Sequence, residues 1–188
     1  MRLALALSAG LLLAAPAFAG TLVGSSIDVS YRFSDINTVY PFGNPSVSPF
    51  IVGTGVESTV NVEDVTFIDV DFGASSLVVT FNTVLSGPTW NSVPFNGLLF
   101  SGPGVGLITS ASLISTTMGG FDNSRITLSG GQLGLNWNGL SYVDGTEIRI
   151  DFGVVPEPAS WAMLIAGFGM VGAAARHRRI ARAAAQAA

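Results

Sequence analysis

The chain lacks cysteine altogether, carries a single histidine and has no lysine, so all eight of its basic residues are arginine. No cysteine means no disulfide framework, no thiolate metal site and no cysteine nucleophile. The one histidine, His177, lies in an arginine cluster near the C-terminus, away from the body of the chain. This excludes a Ser-His-Asp triad and a histidine-based metal site in the body. Without lysine there is no Schiff base. Charge of either sign is scarce: 11% of the 188 residues are charged, against roughly 25% in ordinary soluble domains. The 48% hydrophobic content rules out disorder as the reason, because disordered chains are poor in aliphatic and aromatic residues.

The few charges are segregated. Residues 1–19 carry only Arg2, residues 20–155 carry three arginines and eleven acids, and residues 156–188 carry Glu157 and four arginines. A body with an excess of eight negative charges repels phosphate backbones, so nucleic acid is excluded as its partner.

The first segment has the layout of a secretory signal peptide. Arg2 gives a positive start, Leu3–Ala15 is a small and apolar run, Pro16 breaks it, and Ala17-Phe18-Ala19 puts small residues before a cut between Ala19 and Gly20. The apolar run of 13 residues is too short to span a ~30 Å hydrocarbon layer as a helix. The mature chain is therefore expected to begin at Gly20, outside the cytoplasm.

The last segment pairs a short proline motif with an apolar stretch. Pro156-Glu157-Pro158 precedes residues 159–175, 17 residues without a charge, and then Arg176-His177-Arg178-Arg179. Such a stretch makes a helix ~25 Å long, the lower limit for a membrane span. Trp161 at its outer end suits the interface, and Arg176, Arg178 and Arg179 at its inner end are expected to stay cytoplasmic and stop transfer. Gly167, Gly169 and Gly172 repeat the letters of a dinucleotide fingerprint, but they sit inside an apolar run with no strand before them, so they read as small helix faces. Each proline fixes φ and biases the residue before it towards extended geometry. Glu157 is thus presented as one charge on a pre-organised, extended peptide. Taken alone, the same letters also describe a linker with a solvated glutamate.

Residues Val155-Pro156-Glu157-Pro158-Ala159-Ser160-Trp161 through Gly172, followed by Arg176–Arg179, resemble the PEP-CTERM sorting signal of Gram-negative bacteria. The resemblance covers residues 155–179, under one fifth of the chain. It implies recognition by an exosortase, an integral-membrane cysteine transpeptidase-like enzyme, with removal of the helix near the motif. It also implies a link to exopolysaccharide or biofilm export. The tail Ile180–Ala188 exceeds the minimal arginine end and is read as cytoplasmic. The segments 94–100, 120–126 and 136–142 are similar to bodies often carried by proteins with this signal, bodies to which no activity is assigned.

Residues 20–154 read as β structure. Period-two alternation runs through 26–33, 65–72, 77–85, 107–116, 125–128, 132–137 and 146–152, with Gly- and Pro-containing breakers between them. Eight to ten short strands predict an all-β, antiparallel β-sandwich or jelly-roll-like body. Asp144-Gly145 suits a tight hairpin turn, and residues 36–55 read as a loop or irregular edge.

Carboxylates and aromatics are the remaining carriers of chemistry. Asp69 and Asp71 share one face of a strand, with Glu63 and Asp64 close in sequence. Such a pair can serve glycoside hydrolysis or bind calcium through oxygen ligands. Alternation alone predicts a solvated outer face, and no stretch has the spacing of a calcium loop, so no metal or other cofactor is assigned. Trp137 alternates with Leu133 and Leu135 and is expected inside, whereas Trp90, in a loop after Gly87-Pro88, is the candidate for stacking on a sugar ring. Asn91, Asn96, Asn136 and Asn138 offer amides to hydroxyls, although their turn positions explain them equally well. Three readings follow in order. The first is a non-enzymatic exported protein of the cell surface or matrix, the second a carbohydrate- or surface-binding module on the same scaffold, and the third a carboxylate-based hydrolase.

Overall fold

The structure is a computed structural model that describes residues 20–155, 165–173 and 175–176. Residues 20–155 form one compact unit, and the C-terminal segment is taken separately below.

The body contains eleven strands: β1 (Ser26–Ser34), β2 (Gly43–Pro45), β3 (Phe50–Ile51), β4 (Ser58–Val62), β5 (Thr66–Phe72), β6 (Ser76–Thr83), β7 (Phe95–Ser101), β8 (Ile108–Thr116), β9 (Ile126–Ser129), β10 (Gln132–Asn136) and β11 (Thr146–Val154). They form a five-stranded sheet in the order β3-β1-β7-β10-β9 and a six-stranded sheet in the order β2-β4-β5-β6-β11-β8. Every pairing is antiparallel.

Alternation decides which faces meet. Ile27, Val29 and Tyr31 of β1, Leu98 and Phe100 of β7, and Leu133 and Leu135 of β10 join one buried cluster with Ile68, Val70, Phe72, Leu77, Val79, Phe81, Ile148 and Ile150 of the other sheet. The two sheets therefore pack face to face, the antiparallel sandwich that the alternation predicts. With no disulfide available, burial of this cluster is the main stabilising term. At its centre Phe72 meets Phe100 edge-on at 5.3 Å and stacks on Phe152 at 5.9 Å.

Several local expectations change in the structure. Phe95–Phe100 is a continuous buried strand in the middle of its sheet. Residues 36–55, read as a loop or irregular edge, do contribute edges, the short strands β2 and β3. The turn at Asp144-Gly145 forms, with Thr146 N–H donating to the Val143 carbonyl at 3.1 Å. It leads into β11, however, and the strand before it, β10, belongs to the other sheet. A tight glycine hairpin lies instead between β9 and β10. There Gly130 and Gly131 have φ of 59° and 72°, the pair of positive values that a type I′ turn requires.

Candidate functional site

At one end of the sandwich two loops and a hairpin turn enclose an aromatic cleft. The hairpin joins β4 to β5 and closes with Val65 N–H donating to the Val62 carbonyl at 3.2 Å. Its Glu63 and Asp64 adopt φ of 55° and 57°, a left-handed geometry that costs a side-chain-bearing residue roughly 1–2 kcal/mol. The neighbouring side chains hold it there. Asn61 Nδ2 donates to Asp64 Oδ1 at 2.6 Å, Asp64 N–H donates to Asn61 Oδ1 at 2.9 Å, and Glu63 N–H donates to the Phe42 carbonyl at 3.0 Å. In this position Glu63 accepts a hydrogen bond from the Tyr40 hydroxyl. That bond, with desolvation and the glutamate charge, pushes the Tyr40 pKa up to about 12.

The opposite wall comes from residues 88–90 running beside 140–142. Trp90 N–H donates to the Leu140 carbonyl at 2.9 Å and Tyr142 N–H to the Pro88 carbonyl at 3.0 Å. This pairing lays the Trp90 indole on the Tyr142 ring, centroids 4.6 Å apart and 8° from parallel. The floor is a buried chain of hydrogen bonds: Trp137 Nε1 donates to the Tyr31 hydroxyl at 3.1 Å, which donates to Asn96 Oδ1 at 2.7 Å. Burial raises the pKa of Tyr31 and Tyr142, so both act as neutral hydroxyls. The cleft has a volume of about 160 Å³, and its lining includes Tyr31, Tyr40, Glu63, Trp90, Asn91 and Tyr142.

Trp90 is not the free loop platform that the sequence suggests. It is half-buried and has one face covered by Tyr142. Its Nε1 is the one buried side-chain polar atom without a hydrogen-bond partner among the described residues. Trp137 is fully buried, as its alternation predicts. The amides of Asn96, Asn136 and Asn138 are taken up by the protein: Asn136 Nδ2 donates to the Pro94 carbonyl at 3.0 Å, Asn138 Nδ2 to the Val93 carbonyl at 2.6 Å, and Asn96 Nδ2 to the Asn91 carbonyl at 3.2 Å. The Asn91 side chain, exposed at the rim, makes no such bond.

Asp69 and Asp71 lie on the outer face of β5, away from the cleft. Asp69 is fully engaged there, accepting from Thr59 Oγ1 at 2.6 Å and from Asn82 Nδ2 at 2.8 Å. Asp71 lies in register with Val78, which pairs in turn with Arg149. Among the described residues no three acidic or imidazole groups gather as a metal site would need, and Glu63 is the one carboxylate lining the cleft. The residues that sequence reasoning missed are Tyr31, Tyr40 and Tyr142, and Glu63, noted there only as a neighbour of Asp69 and Asp71, belongs to this cleft instead. Their signal was the polar pair Glu63-Asp64 interrupting two alternating runs, which marks a hairpin.

The C-terminal end of the body is equally well defined. The last main-chain bond of the body runs from Val155 N–H to the Leu107 carbonyl at 2.9 Å. Gly20 abuts the same strand end, where a Cβ would sit 2.6 Å from the Val154 carbonyl oxygen. Residues 165–173 are helical, and Ile165, Phe168 and Met170 are each 70% exposed. Arg176 lies in helical backbone. The expected cleavage residue Ala19, the motif Pro156, Glu157 and Pro158, and Trp161, Arg178 and Arg179 lie outside the described residues, as does the whole signal segment 1–19. Among the described residues no helix is long and apolar enough to cross a membrane; residues 159–164 and 174 of the expected span are not among them.

Comparison with known proteins gives one finding. The profile of the PEP-CTERM protein-sorting motif matches residues 154–179. No curated protein and no solved structure matches the chain significantly. The matched segment starts at the last residue of β11 and takes in the proline motif, the apolar helix and the arginine cluster. It marks the chain for an exosortase, as a surface or secreted protein. By this C-terminal segment the chain is a PEP-CTERM sorting domain-containing protein.

Proposed function

We propose that the protein is exported by its signal segment and held at the inner membrane by the helix over 159–175. An exosortase then cuts it at Pro156-Glu157-Pro158, leaving a non-catalytic β body on the cell surface or in the extracellular matrix, associated with exopolysaccharide. The observation that carries this reading is where the sorting motif begins. The match opens at residue 154, and the body makes its last main-chain bond at Val155. A cut beyond Val155 therefore releases a complete sandwich without removing a strand.

Two further features support the reading. The exposed apolar side chains of 165–173 are favourable in lipid and unfavourable in water. Trp161 and the Arg176, Arg178 and Arg179 cluster flank them as an interfacial ring and a cytoplasmic stop would. The absence of catalysis rests on the chain's composition and on the single carboxylate in the cleft.

The test is fractionation of native cells expressing a triple variant, Pro156→Ala with Glu157→Ala and Pro158→Ala. The variant is expected in the membrane fraction at unprocessed mass, while the parent protein is released. Release of the variant at the parent's rate and mass would overturn the sorting role of the motif.

A further inference from the structure

The cleft at the β4–β5 turn includes no residue of the sorting segment 154–179, and its chemistry points to one class of ligand. We infer that it binds a single neutral, polyhydroxylated ring, a pyranose unit of a longer glycan, between the Tyr40–Glu63 pair and the Trp90–Tyr142 stack.

The size argues for one ring. About 160 Å³ is well below the roughly 300–1,000 Å³ of pockets that enclose a whole drug-sized ligand. The aromatic surface continues outwards from it: Phe42, 61% exposed, sits edge-on against Tyr40 at 5.7 Å. A chain of rings entering the cleft would meet a second apolar contact there.

The polar groups select the ligand's chemistry. Glu63 can only accept hydrogen bonds, and the exposed Asn91 amide both donates and accepts. A ligand hydroxyl both donates and accepts, so one polyol satisfies both, while its C–H faces lie against the aromatic walls. An anion is disfavoured by Glu63 and by the net negative body. A cation satisfies the carboxylate and leaves the Asn91 amide N–H groups without an acceptor. A purely apolar ligand strands every one of these groups, at about 1–3 kcal/mol for each that becomes buried. The backbone agrees with a functional origin: two non-glycine residues are held in left-handed geometry at the turn that delivers Glu63, and such strain gathers at ligand clamps.

This inference rests on the surface reading only for the ligand's whereabouts, since an exported protein meets glycans outside the cell. Binding by the purified chain is independent of sorting, so the two can fail separately. The test is a titration of the full chain in a detergent without a sugar headgroup. The probes are glucose, galactose, mannose, N-acetylglucosamine and glucuronate, followed by saturation-transfer NMR and tryptophan fluorescence. At least one neutral sugar is expected to saturate with Kd of about 1 mM, and glucuronate to bind about tenfold more weakly. Tyr40→Ala is expected to weaken the neutral sugar at least about tenfold, a loss of about 1.4 kcal/mol. Glu63→Gln, which keeps the shape of the turn, is expected to remove the discrimination against glucuronate. The inference is overturned if no neutral sugar binds, if glucuronate binds as well as the neutral sugars, or if Tyr40→Ala binds like the parent while remaining folded.

Discussion

Tyr31→Phe removes one oxygen atom from the floor of the cleft and tests how the sandwich is held at that end. The hydroxyl accepts from Trp137 Nε1 at 3.1 Å and donates to Asn96 Oδ1 at 2.7 Å. Trp137 is fully buried and Asn96 is 2% exposed, so water does not replace the lost partner. Each orphaned group costs about 1–3 kcal/mol, against which the phenylalanine recovers the burial cost of the hydroxyl itself. The net expectation is a loss of about 2–4 kcal/mol. For a body of this size that lowers Tm by about 10 °C. The comparator is Tyr142→Phe, whose hydroxyl contacts Thr66 Oγ1 at 2.7 Å. Thr66 keeps a second partner in Thr83 Oγ1 at 3.0 Å, so about 1 kcal/mol is expected there. Urea unfolding followed by tryptophan fluorescence reads both, and the slope m must stay constant for the comparison to hold. A Tyr31→Phe loss no larger than that of Tyr142→Phe would refute the claim that this buried chain of hydrogen bonds is a principal constraint.

Three further outcomes follow from the same geometry. Trp90→Phe keeps the aromatic contact with Tyr142 and removes a buried donor that has no partner; urea unfolding is expected to show stability within about 1 kcal/mol of the parent, where an ordinary buried Trp→Ala change costs roughly 3–5 kcal/mol. Glu63→Gln is expected to bring the Tyr40 pKa down from about 12 towards its ordinary value of 10.0, read by phenolate absorbance. Because the folded-state value is raised, the stabilisation that the pair gives the parent is complete below pH 10.0, is lost as pH rises through about 12, and is reduced in the variant. Calcium is expected to leave the Tm of the parent and of Asp69→Asn unchanged, because the Asp69 oxygens already accept from Thr59 and Asn82; a calcium-dependent rise in the parent that Asp69→Asn abolishes would reinstate a metal role.

Most strands that sequence reasoning located have one face in the core and one in solvent, although β10, with Leu133–Leu135 buried throughout, was found as well. β1, β5, β6 and β11 alternate buried and half-buried or exposed residues along most of their length, and polar residues fall in phase. β7 was illegible for the opposite reason: Phe95–Phe100 is buried on both faces, so Phe-Asn-Gly-Leu-Leu-Phe has no period to detect. β4 was hidden by its brevity, with only Val60 and Val62 alternating as apolar residues. The cleft was legible in Trp90, Asn91 and Asn96, which lie close together in sequence. Its other walls come from Tyr31, Tyr40, Glu63 and Tyr142, which are far apart in sequence and meet only through strand register and the left-handed turn at Glu63-Asp64. Asp69 and Asp71 show the converse. Their spacing is right for a pair of carboxylates, but Thr59 and Asn82, contributed by the flanking strands, turn Asp69 into a link across the sheet surface. The sorting segment was legible because a membrane signal is written in consecutive residues and needs no tertiary structure to be recognised.

The central claim is that the body is released by cleavage at both of its ends. Its most direct test is the intact mass of the protein recovered outside native cells, compared with that from a strain lacking the exosortase. The account predicts a species that starts at Gly20 and ends within Pro156–Ser160, present in the parent strain and absent from the other. A released species that still contains Trp161–Ala188, or one of identical mass in both strains, would contradict it.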